Sequence, residues 1–365
     1  GSTVTSNGYD NFWIIKLNST GVIVWQNSIG GTDHETATSV QQTSDGGYIV
    51  GGYSYSNDGD ISINYGFYDC WVVKLSASGM IVWQKTLGGS GDDILNSIIQ
   101  TTDGGYIFAG QTNSNNGDVS GHIGYGDFWV VKLSALGTLV WQKTLGGTEQ
   151  DNATSIKQTS DGGFIIAGNT YSNNNDVTGN NGDLDIWIVK INATGIISWQ
   201  KTLGGTNTDT ANSIQQNTDG GYIVGGSTYS NDGDVTGLDG VADFCIIKLS
   251  STGVLVWQKT LGGTDFETVK SIQQTSDGGF IAAGLTGSND GDITFFQGMG
   301  DWWVVKLGPE TLFTSEFEYV ENTIMYPNPS NRCFSIQNNT FFKESFNFKI
   351  INLKGQIVSS GDSKF

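Results

Sequence analysis

The sequence is poor in arginine, proline, cysteine and histidine. Its 365 residues include 3 prolines, 3 cysteines and 2 histidines, and Arg332 is the single arginine. Basic residues number 17 against 36 acidic ones, which gives a formal net charge of −19. A surface this acidic repels nucleic acid and anionic membranes. We therefore expect no nucleic-acid partner.

Long apolar runs and a cysteine framework are also missing. The sequence holds no run of about 18 apolar residues, so it predicts no transmembrane span. Cys70, Cys245 and Cys333 occupy unrelated positions, which allows at most one disulfide and matches no metal-binding spacing. No signal peptide precedes "TVTSNGYDNFW" at Thr3, which resembles an internal stretch from Asp176. We therefore expect repeat sequence upstream of residue 1.

A repeat of 58 residues dominates the first 308 positions. "QTSDGGYIVG" begins at Gln42, and variants of it follow at Gln100, Gln158, Gln216 and Gln274. Each unit also carries segments such as "DFWVVKL", "GVIVWQ" and "TSVQQ". These runs are short, rich in β-branched and aromatic residues, and bounded by glycine and polar turn residues, which is typical of strands. An Asp-Gly pair between two of the segments predicts a tight hairpin.

Four antiparallel strands per unit predict an all-β fold, a β-propeller of five to six four-stranded blades spanning residues 1–308. A β-solenoid is the alternative architecture. One tryptophan recurs at a fixed strand position, and we expect this set to pack between blades rather than to bind a ligand. The set comprises Trp13, Trp71, Trp129, Trp187 and Trp303, with Cys245 in the remaining copy.

Acidic residues recur with the same period. Paired carboxylates can act as acid and base, but catalysis needs one asymmetric site. Repetition in every unit instead favours turn capping. The "SNDGD" loops could alternatively bind calcium, because hard oxygen ligands on a glycine-containing loop suit that ion. The candidate calcium ligands are Asp58, Asp60, Asp118, Asp176, Asp234 and Asp292; we expect no other cofactor.

The loop that follows "NDGD" keeps its length in each unit but changes its residues. Binding in repeat proteins is most often carried by such variable loops. Exposed aromatic side chains beside Asn and Asp suit stacking on sugar rings, and they suit a protein interface equally well. The alternative is that they only cover the blade edges. The candidate ligand-binding residues are Tyr65, Phe67, Tyr68, His122, Tyr125, Phe295, Phe296 and Met299.

The sequence does not favour an enzyme. His34 and His122 lie at different repeat positions, and no Ser-His-Asp or Cys-His arrangement can be built from them. Two other functions stay open. One is a polysaccharide-active enzyme of sialidase-like or lyase type that uses Asp33 or Glu35 beside His34, and the other is a purely structural surface protein.

Two short motifs resemble known propellers. "TSDGGY" is similar to the Asp-box of sialidase-like propellers, where the motif is a structural turn and not the catalytic site. The Gly-x-x-x-Trp pattern of "GVIVW" resembles the repeat of quinoprotein propellers. Both resemblances imply a propeller.

The sequence changes character after Leu307, where all three prolines lie. "IMYPNPSNRCFSIQNN" and "FNFKIINLKGQIVSSG" resemble the type A C-terminal sorting domain of type IX secretion cargo from Bacteroidota. That resemblance implies a small β-sandwich over residues 324–365, joined by a linker at 309–323 and recognised by the outer-membrane translocon. It centres on Tyr326, Pro327, Asn328, Pro329 and Gly355.

The resemblance also implies a secreted protein or one on the outer-membrane cell surface. The 58-residue unit likewise looks like repeats of secreted proteins from that phylum. The chain stops at Phe365, before the family's last strands, so we expect a truncated sorting domain. A plain β-sandwich appendage is the alternative.

Overall fold

The computed structural model describes residues 8–295, 298 and 300–309, and the backbone of four later strands. The described residues contain strands and no α-helix, which confirms the all-β prediction. Contacts divide the chain into two compact units, Gly1–Pro309 and Glu310–Phe365.

The first unit contains 21 strands in the described residues. They are β1 (Phe12–Leu17), β2 (Ile23–Ile29), β3 (Glu35–Gln42), β4 (Tyr48–Ser54), β5 (Asp69–Leu75), β6 (Ile81–Leu87), β7 (Asp93–Gln100), β8 (Tyr106–Thr112), β9 (Asp127–Leu133), β10 (Leu139–Leu145), β11 (Asp151–Gln158), β12 (Phe164–Thr170), β13 (Asp185–Ile191), β14 (Ile197–Leu203), β15 (Asp209–Gln216), β16 (Tyr222–Thr228), β17 (Asp243–Leu249), β18 (Leu255–Leu261), β19 (Glu267–Gln274), β20 (Phe280–Thr286) and β21 (Asp301–Leu307). The second unit contains β22 (Thr323–Tyr326), β23 (Ser335–Asn338), β24 (Asn347–Ile351) and β25 (Ile357–Asp362).

Consecutive strands pair into antiparallel sheets of the propeller-blade type. Four sheets are complete: sheet 1 (β3 to β6), sheet 2 (β7 to β10), sheet 3 (β11 to β14) and sheet 4 (β15 to β18). The first unit also has a two-stranded sheet, β1 and β2, and a three-stranded sheet, β19 to β21. These repeated four-stranded sheets confirm the predicted fold class. The five to six predicted blades correspond to six sheets in the described part of the first unit, of which four are complete.

The repeated "TSDGGY" phrase forms the hairpin turn between β3 and β4. Gly46 has φ +81°, a left-handed conformation that favours glycine. The Asp45 carboxylate accepts hydrogen bonds from the Gly47 N–H (3.0 Å) and the Thr43 hydroxyl (2.5 Å). The phrase is therefore a structural turn, as its resemblance to the Asp-box implies.

A buried lysine on β5, the strand that pairs with β4, holds this turn against the sheet. Lys74 Nζ lies 2.9 Å from Asp45 Oδ2 and donates to the Leu75 carbonyl, and its side chain is only 5% exposed. The hydrogen bonds from Thr43 and Lys74 hold the pKa of the Asp45 carboxyl well below its usual range. The same ion pair recurs as Lys132–Asp103, Lys190–Asp161, Lys248–Asp219 and Lys306–Asp277.

Aromatic rings join each sheet to the next. The centroid of the Phe12 ring lies 4.6 Å from that of Trp71, and Phe128 with Trp187 (4.5 Å) and Phe244 with Trp303 (4.6 Å) repeat the contact. Trp71, Trp129 and Trp187 are completely buried. In sheets 1 to 3, the repeated tryptophan therefore packs between neighbouring sheets, as expected. The expectation is wrong for Trp13, which is 61% exposed, since no sheet among the described residues packs against it.

Side-chain hydrogen bonds between neighbouring sheets explain the strict 58-residue period. The Thr38 hydroxyl donates to the Leu95 carbonyl (2.6 Å), and the Asn96 amide donates to the Ala153 carbonyl (2.8 Å). Both bonds join residues 57 apart in the chain, and the same bond recurs at the next two junctions. An insertion in one sheet would displace these donors from their carbonyl partners.

Candidate functional site

The aspartates of the "SNDGD" loops clamp the preceding Gly-Gly turn. The Gly30 N–H donates to Asp60 Oδ2 (3.1 Å), and the Asp60 N–H donates back to the Gly30 carbonyl (3.0 Å). Asp58 Oδ1 accepts the Thr32 N–H at 2.8 Å. In later units Asp118, Asp176 and Asp292 accept the equivalent glycine N–H, and the Asp234 N–H donates to Gly204.

Within the described residues, no group of three or more His, Cys, Asp or Glu side chains is arranged to hold a metal ion. The hydrogen bonds of these aspartates show the predicted turn capping. Calcium binding by the loops stays a prediction.

A pair of buried carboxyl groups lies at each of the four junctions that lead from sheet 1 to the β19–β21 sheet. Asp69 and Asp93 are fully buried. Asp93 accepts hydrogen bonds from Thr112, Ser114 and the Gly89 N–H, whereas Asp69 Oδ2 accepts the Tyr65 N–H and its Oδ1 has no partner. Burial raises the pKa of Asp69 to about 7, and the nearby Asp93 charge adds to the effect.

The pair recurs as Asp127 with Asp151, Asp185 with Asp209, and Asp243 with Glu267. Burial likewise raises the pKa of Asp127 to about 7 and those of Asp185 and Asp243 to about 6. A raised carboxyl pKa is a common feature of catalytic acids. These groups are shut off from solvent and repeat in each sheet, so a structural role explains them better than a reaction does.

The residues considered for an enzyme site have structural partners. Glu35 is 2% exposed and accepts hydrogen bonds from the Gly31 N–H and the Ser54 hydroxyl, both at 2.8 Å. His34 Nδ1 lies 2.9 Å from Asp10 Oδ2, and its ring stacks on Tyr9 with centroids 5.0 Å apart. His34 and Glu35 are therefore held by different neighbours rather than by each other.

The first variable loop is anchored by a cluster of aromatic rings. Tyr68 packs edge-on against Tyr53 and Tyr55, with centroids 5.3 Å apart in both cases, and burial raises the pKa of its hydroxyl. Tyr65 and Phe67 remain 44% and 56% exposed. Of the three aromatic residues predicted in this loop, one is structural and two face solvent.

The other predicted loop residues also differ in exposure. His122 is half-buried, its Nε2 has no hydrogen-bond partner, and burial lowers its pKa. Tyr125 and Phe295 are each 75% exposed. Phe296 and Met299 lie outside the described residues.

Tyr125 lines an open groove of about 460 Å³ between sheets 2 and 3. The second aromatic wall is Tyr171, and the polar lining comes from Glu149, Gln150 and Asp183. Backbone bonds support the groove, since the Tyr171 N–H donates to the Gln150 carbonyl at 3.0 Å and Asp151 N–H donates to the Gly126 carbonyl at 2.7 Å. Two tyrosine rings and two carboxylates thus share one concave surface.

Sequence reasoning missed Tyr171, Glu149 and Asp183. A signal for the tyrosine exists, because the residue after the "YIVGG" strand is tyrosine in three units: Tyr55, Tyr171 and Tyr229. All three are 40 to 47% exposed. Glu149 has a similar signal, because the same position is acidic in two other units, at Asp33 and Asp265, whereas Asp183 has none. Only the stacking of sheets 2 and 3 brings Glu149 to the groove.

In the second unit, β22 pairs with β23 and β24 pairs with β25, both antiparallel. Tyr326, the first residue of the predicted sorting motif, ends β22 opposite Ser335. Pro327, Asn328, Pro329 and Gly355 lie outside the described residues. No helix in the described part of the chain has the length and apolar character to cross a membrane.

Residues 324–364 match the family described as "Secretion system C-terminal sorting domain". The chain therefore carries the sorting domain that its C-terminal motif resembles. This domain implies handling and export by the type IX secretion machinery, and hence a secreted or cell-surface protein. No characterised protein sequence matches the chain.

Several solved structures are similar to the chain at low identity. Sqt1 from Chaetomium thermophilum is 12% identical with a TM-score of 0.41, over 74% of this chain and 60% of that one. The WD40 domain of Pan2 from Neurospora crassa is 11% identical with a TM-score of 0.38, over 69% of this chain and 75% of that one. The chain thus spans about three fifths of Sqt1, and likeness at this level carries no argument about activity.

Proposed function

We propose that this protein is an exported binding module that recognises glycans through the groove between Tyr125 and Tyr171. The observation behind this proposal is that the groove combines two exposed tyrosines with Glu149 and Asp183, all on connections between strands of sheets 2 and 3. Tyrosine rings stack on the apolar faces of sugars, and carboxylates accept hydrogen bonds from sugar hydroxyl groups.

The surrounding sheets support this assignment. The backbone on both sides of the groove belongs to a repeated hydrogen-bonded frame, so little ordering is needed when a ligand binds. The exposed Tyr65, Phe67 and Phe295 extend the set of aromatic loop residues available to a larger ligand. We further propose that the protein belongs to a bacterium of the phylum Bacteroidota and is attached to the outer membrane after export.

A glycan array with the purified full chain tests the proposed ligand class. We expect binding that falls about tenfold in Tyr125→Ala and in Tyr171→Ala, a loss of about 1.4 kcal/mol, since each removes one of the two aromatic contacts. Tyr229→Ala is the matched control, because Tyr229 follows the equivalent strand of sheet 4 and is 40% exposed but does not line the groove.

Undiminished binding in both groove variants would contradict the site, and absence of binding to every glycan would contradict the ligand class. A protein ligand would then be the next candidate for the same loops. Release of shortened polysaccharide would instead favour the enzyme alternative. Absence of any ligand would favour a structural surface protein.

We also propose that the "SNDGD" loops bind calcium through their aspartates. Thermal unfolding with calcium and with a chelator tests this, with Asp60→Asn as the variant. A calcium-dependent rise in Tm that Asp60→Asn reduces would support binding there. Identical Tm values under both conditions would contradict it.

A further inference from the structure

Every lysine of the first unit lies within a strand, and none lies in a connection between strands. Lys74 and its four repeats are paired with the aspartates of the hairpin turns. The stem of Lys143 lies beside Gly195, in the turn between β13 and β14. These lysines are therefore directed towards the edge of the sheets that carries the hairpin turns.

The opposite edge of each sheet carries the other connections, and we call it the loop edge. Glu35 at the start of β3, Ser54 at the end of β4 and Asp69 at the start of β5 pair across sheet 1, so the connections that adjoin them meet at this edge. The connections between strands at the loop edges are 30–34, 55–68, 88–92, 113–126, 146–150, 171–184, 204–208, 229–242, 262–266 and 287–300. None of them contains a lysine or an arginine, and all except 204–208 contain an aspartate or a glutamate. The loop edge is therefore acidic.

The groove between sheets 2 and 3 lies at this edge and holds two carboxylates that no other side chain engages. Glu149 and Asp183 are exposed, and neither carboxylate has a hydrogen-bond or ion-pair partner in the described part of the chain. Asp60, on an equivalent loop, instead accepts the Gly30 N–H. The groove therefore offers two carboxylates to a ligand.

The lining of the groove favours a positively charged ligand. Among the described residues, no lysine or histidine lines it. Its two carboxylates attract an ammonium group and repel the carboxylate or sulfate group of an acidic sugar. The face of a tyrosine ring also attracts a cation, so Tyr125 and Tyr171 act in the same direction. The groove therefore discriminates among glycans by charge.

We propose that the glycan bound by this groove carries free amino groups, which lie against Glu149 and Asp183 while its sugar rings stack on Tyr125 and Tyr171. This inference rests on the proposed glycan-binding function and adds the chemical class of the glycan. A neutral glycan lacks the attraction to the two carboxylates. An acidic glycan is repelled by them and by the acidic loop edge around them.

An array that carries each oligosaccharide in two forms, with free amines and with the same amines N-acetylated, tests the class of ligand. N-acetylation removes the positive charge and keeps the sugar chain. We expect the purified full chain to bind the free-amine form about tenfold more tightly, since two exposed ion pairs each contribute modestly. The preference should shrink as the salt concentration rises, because salt screens exposed charges.

Substitution of the two acids assigns the preference to the groove. Glu149→Gln and Asp183→Asn should each weaken binding of the free-amine form by about threefold and leave binding of the N-acetylated form unchanged. Asp265→Asn is the matched control, because Asp265 holds the position of Glu149 in the β19–β21 sheet, where Val241 and Gly287 replace the two tyrosines. It removes one charge from the loop edge and should leave binding unchanged. All three side chains are exposed, so we expect the variants to fold, which circular dichroism checks.

Four outcomes would overturn the proposal. They are equal binding of the two forms, tighter binding of acidic glycans, an equal loss in Asp265→Asn, and binding of oligolysine that matches the free-amine glycan and survives Tyr125→Ala. The last would show a general attraction for polycations. Equal binding of the two forms that is lost in Tyr125→Ala and Tyr171→Ala would keep the glycan site and refute only the charge preference. Absence of binding to every glycan would refute both.

Discussion

Asp69 and Asp93 bring two buried carboxyl groups together at the place where Gly88 lacks a side chain. A Cβ atom added at Gly88 would lie 2.3 Å from Asp69 Oδ1 and 2.7 Å from Asp93 Oδ2. The glycine of the "LGG" segment is thus required because any side chain would collide with the carboxyl groups. Asp93 is fully hydrogen-bonded while Asp69 Oδ1 is not. That difference favours a proton on Asp69 in the folded state.

The first prediction is that the folded protein is more stable at mildly acidic than at alkaline pH. The pKa values of Asp69 and Asp127 are raised to about 7 by burial, above the value of about 4 in an unfolded chain. The folded state therefore binds more protons, and the stability from these groups is present below about pH 4 and lost as the pH rises towards 7. We expect Tm to fall between pH 5 and about pH 8.

The opposite shift sets the acidic limit of stability. Hydrogen bonds from threonine and lysine partners lower the pKa values of Asp103 and Asp161 to about 2, so the stability that these two groups contribute is lost as the pH falls from about 4 to 2. Thermal unfolding from pH 2 to 9 measures both limits. Asp69→Asn should reduce the fall in Tm above pH 5, and a Tm that rises steadily to pH 8 would contradict the prediction.

The second prediction concerns the ion pair between Asp45 in the β3–β4 turn and Lys74 on β5. Asp45→Ala leaves the ammonium of Lys74, which is only 5% exposed, without its carboxylate. We expect a loss of about 1–3 kcal/mol in the free energy of unfolding, measured by urea denaturation. Asp277→Ala removes the same contacts in the three-stranded sheet, where the Lys306 side chain is 42% exposed, and should cost less. An equal or larger loss in Asp277→Ala would contradict the argument.

The third prediction is that two of the three cysteines do not react in the folded protein. Cys70 and Cys245 are free and buried, and burial raises both thiol pKa values well above their usual range. Thiolate is the reactive form, so both should be unreactive until the chain unfolds. In a Cys333→Ser variant, a thiol reagent should label no cysteine in buffer and two in denaturant. Rapid labelling in buffer would show that the sheets open locally.

The fourth prediction is that export depends on the C-terminal segment. Deletion of residues 324–365 removes the sorting domain and leaves the first unit unchanged. In a host with a type IX secretion system, the shortened protein should accumulate inside the cell envelope, whereas the full chain should reach the surface or the medium. Fractionation with antibody detection measures this. Equal export of both chains would show that the segment is not the sorting signal.

Much of the fold could be predicted because its information is local. Alternating β-branched and aromatic residues predict each strand, and Asp-Gly predicts each hairpin turn without reference to the rest of the chain. The candidate site was only partly predictable. Tyr125 stands out as an aromatic residue in a variable loop, but Tyr171 and Glu149 reach the same groove only because sheet 3 stacks on sheet 2.

The sequence indicates least about the burial of the charged residues that recur in each unit. The lysines of the repeated strand look like surface residues, yet Lys74 is buried because the hairpin turn supplies Asp45 as its partner. Asp69 and Asp93 do cap backbone N–H groups, of Tyr65 and Gly89, but nothing in the sequence indicates that both carboxyl groups are buried. Burial depends on neighbours that are distant in the chain, and composition does not report them.

The sequence alone determined the all-β class, the 58-residue unit, its hairpin turns and the secretion signal, because each depends on residues close together in the chain. Tertiary structure decided which copies of a segment are core and which are surface. Trp13 and Trp71 hold the same position in the same segment, but one is 61% exposed and the other is completely buried. The difference arises because the burial of a strand depends on the sheet that packs against it.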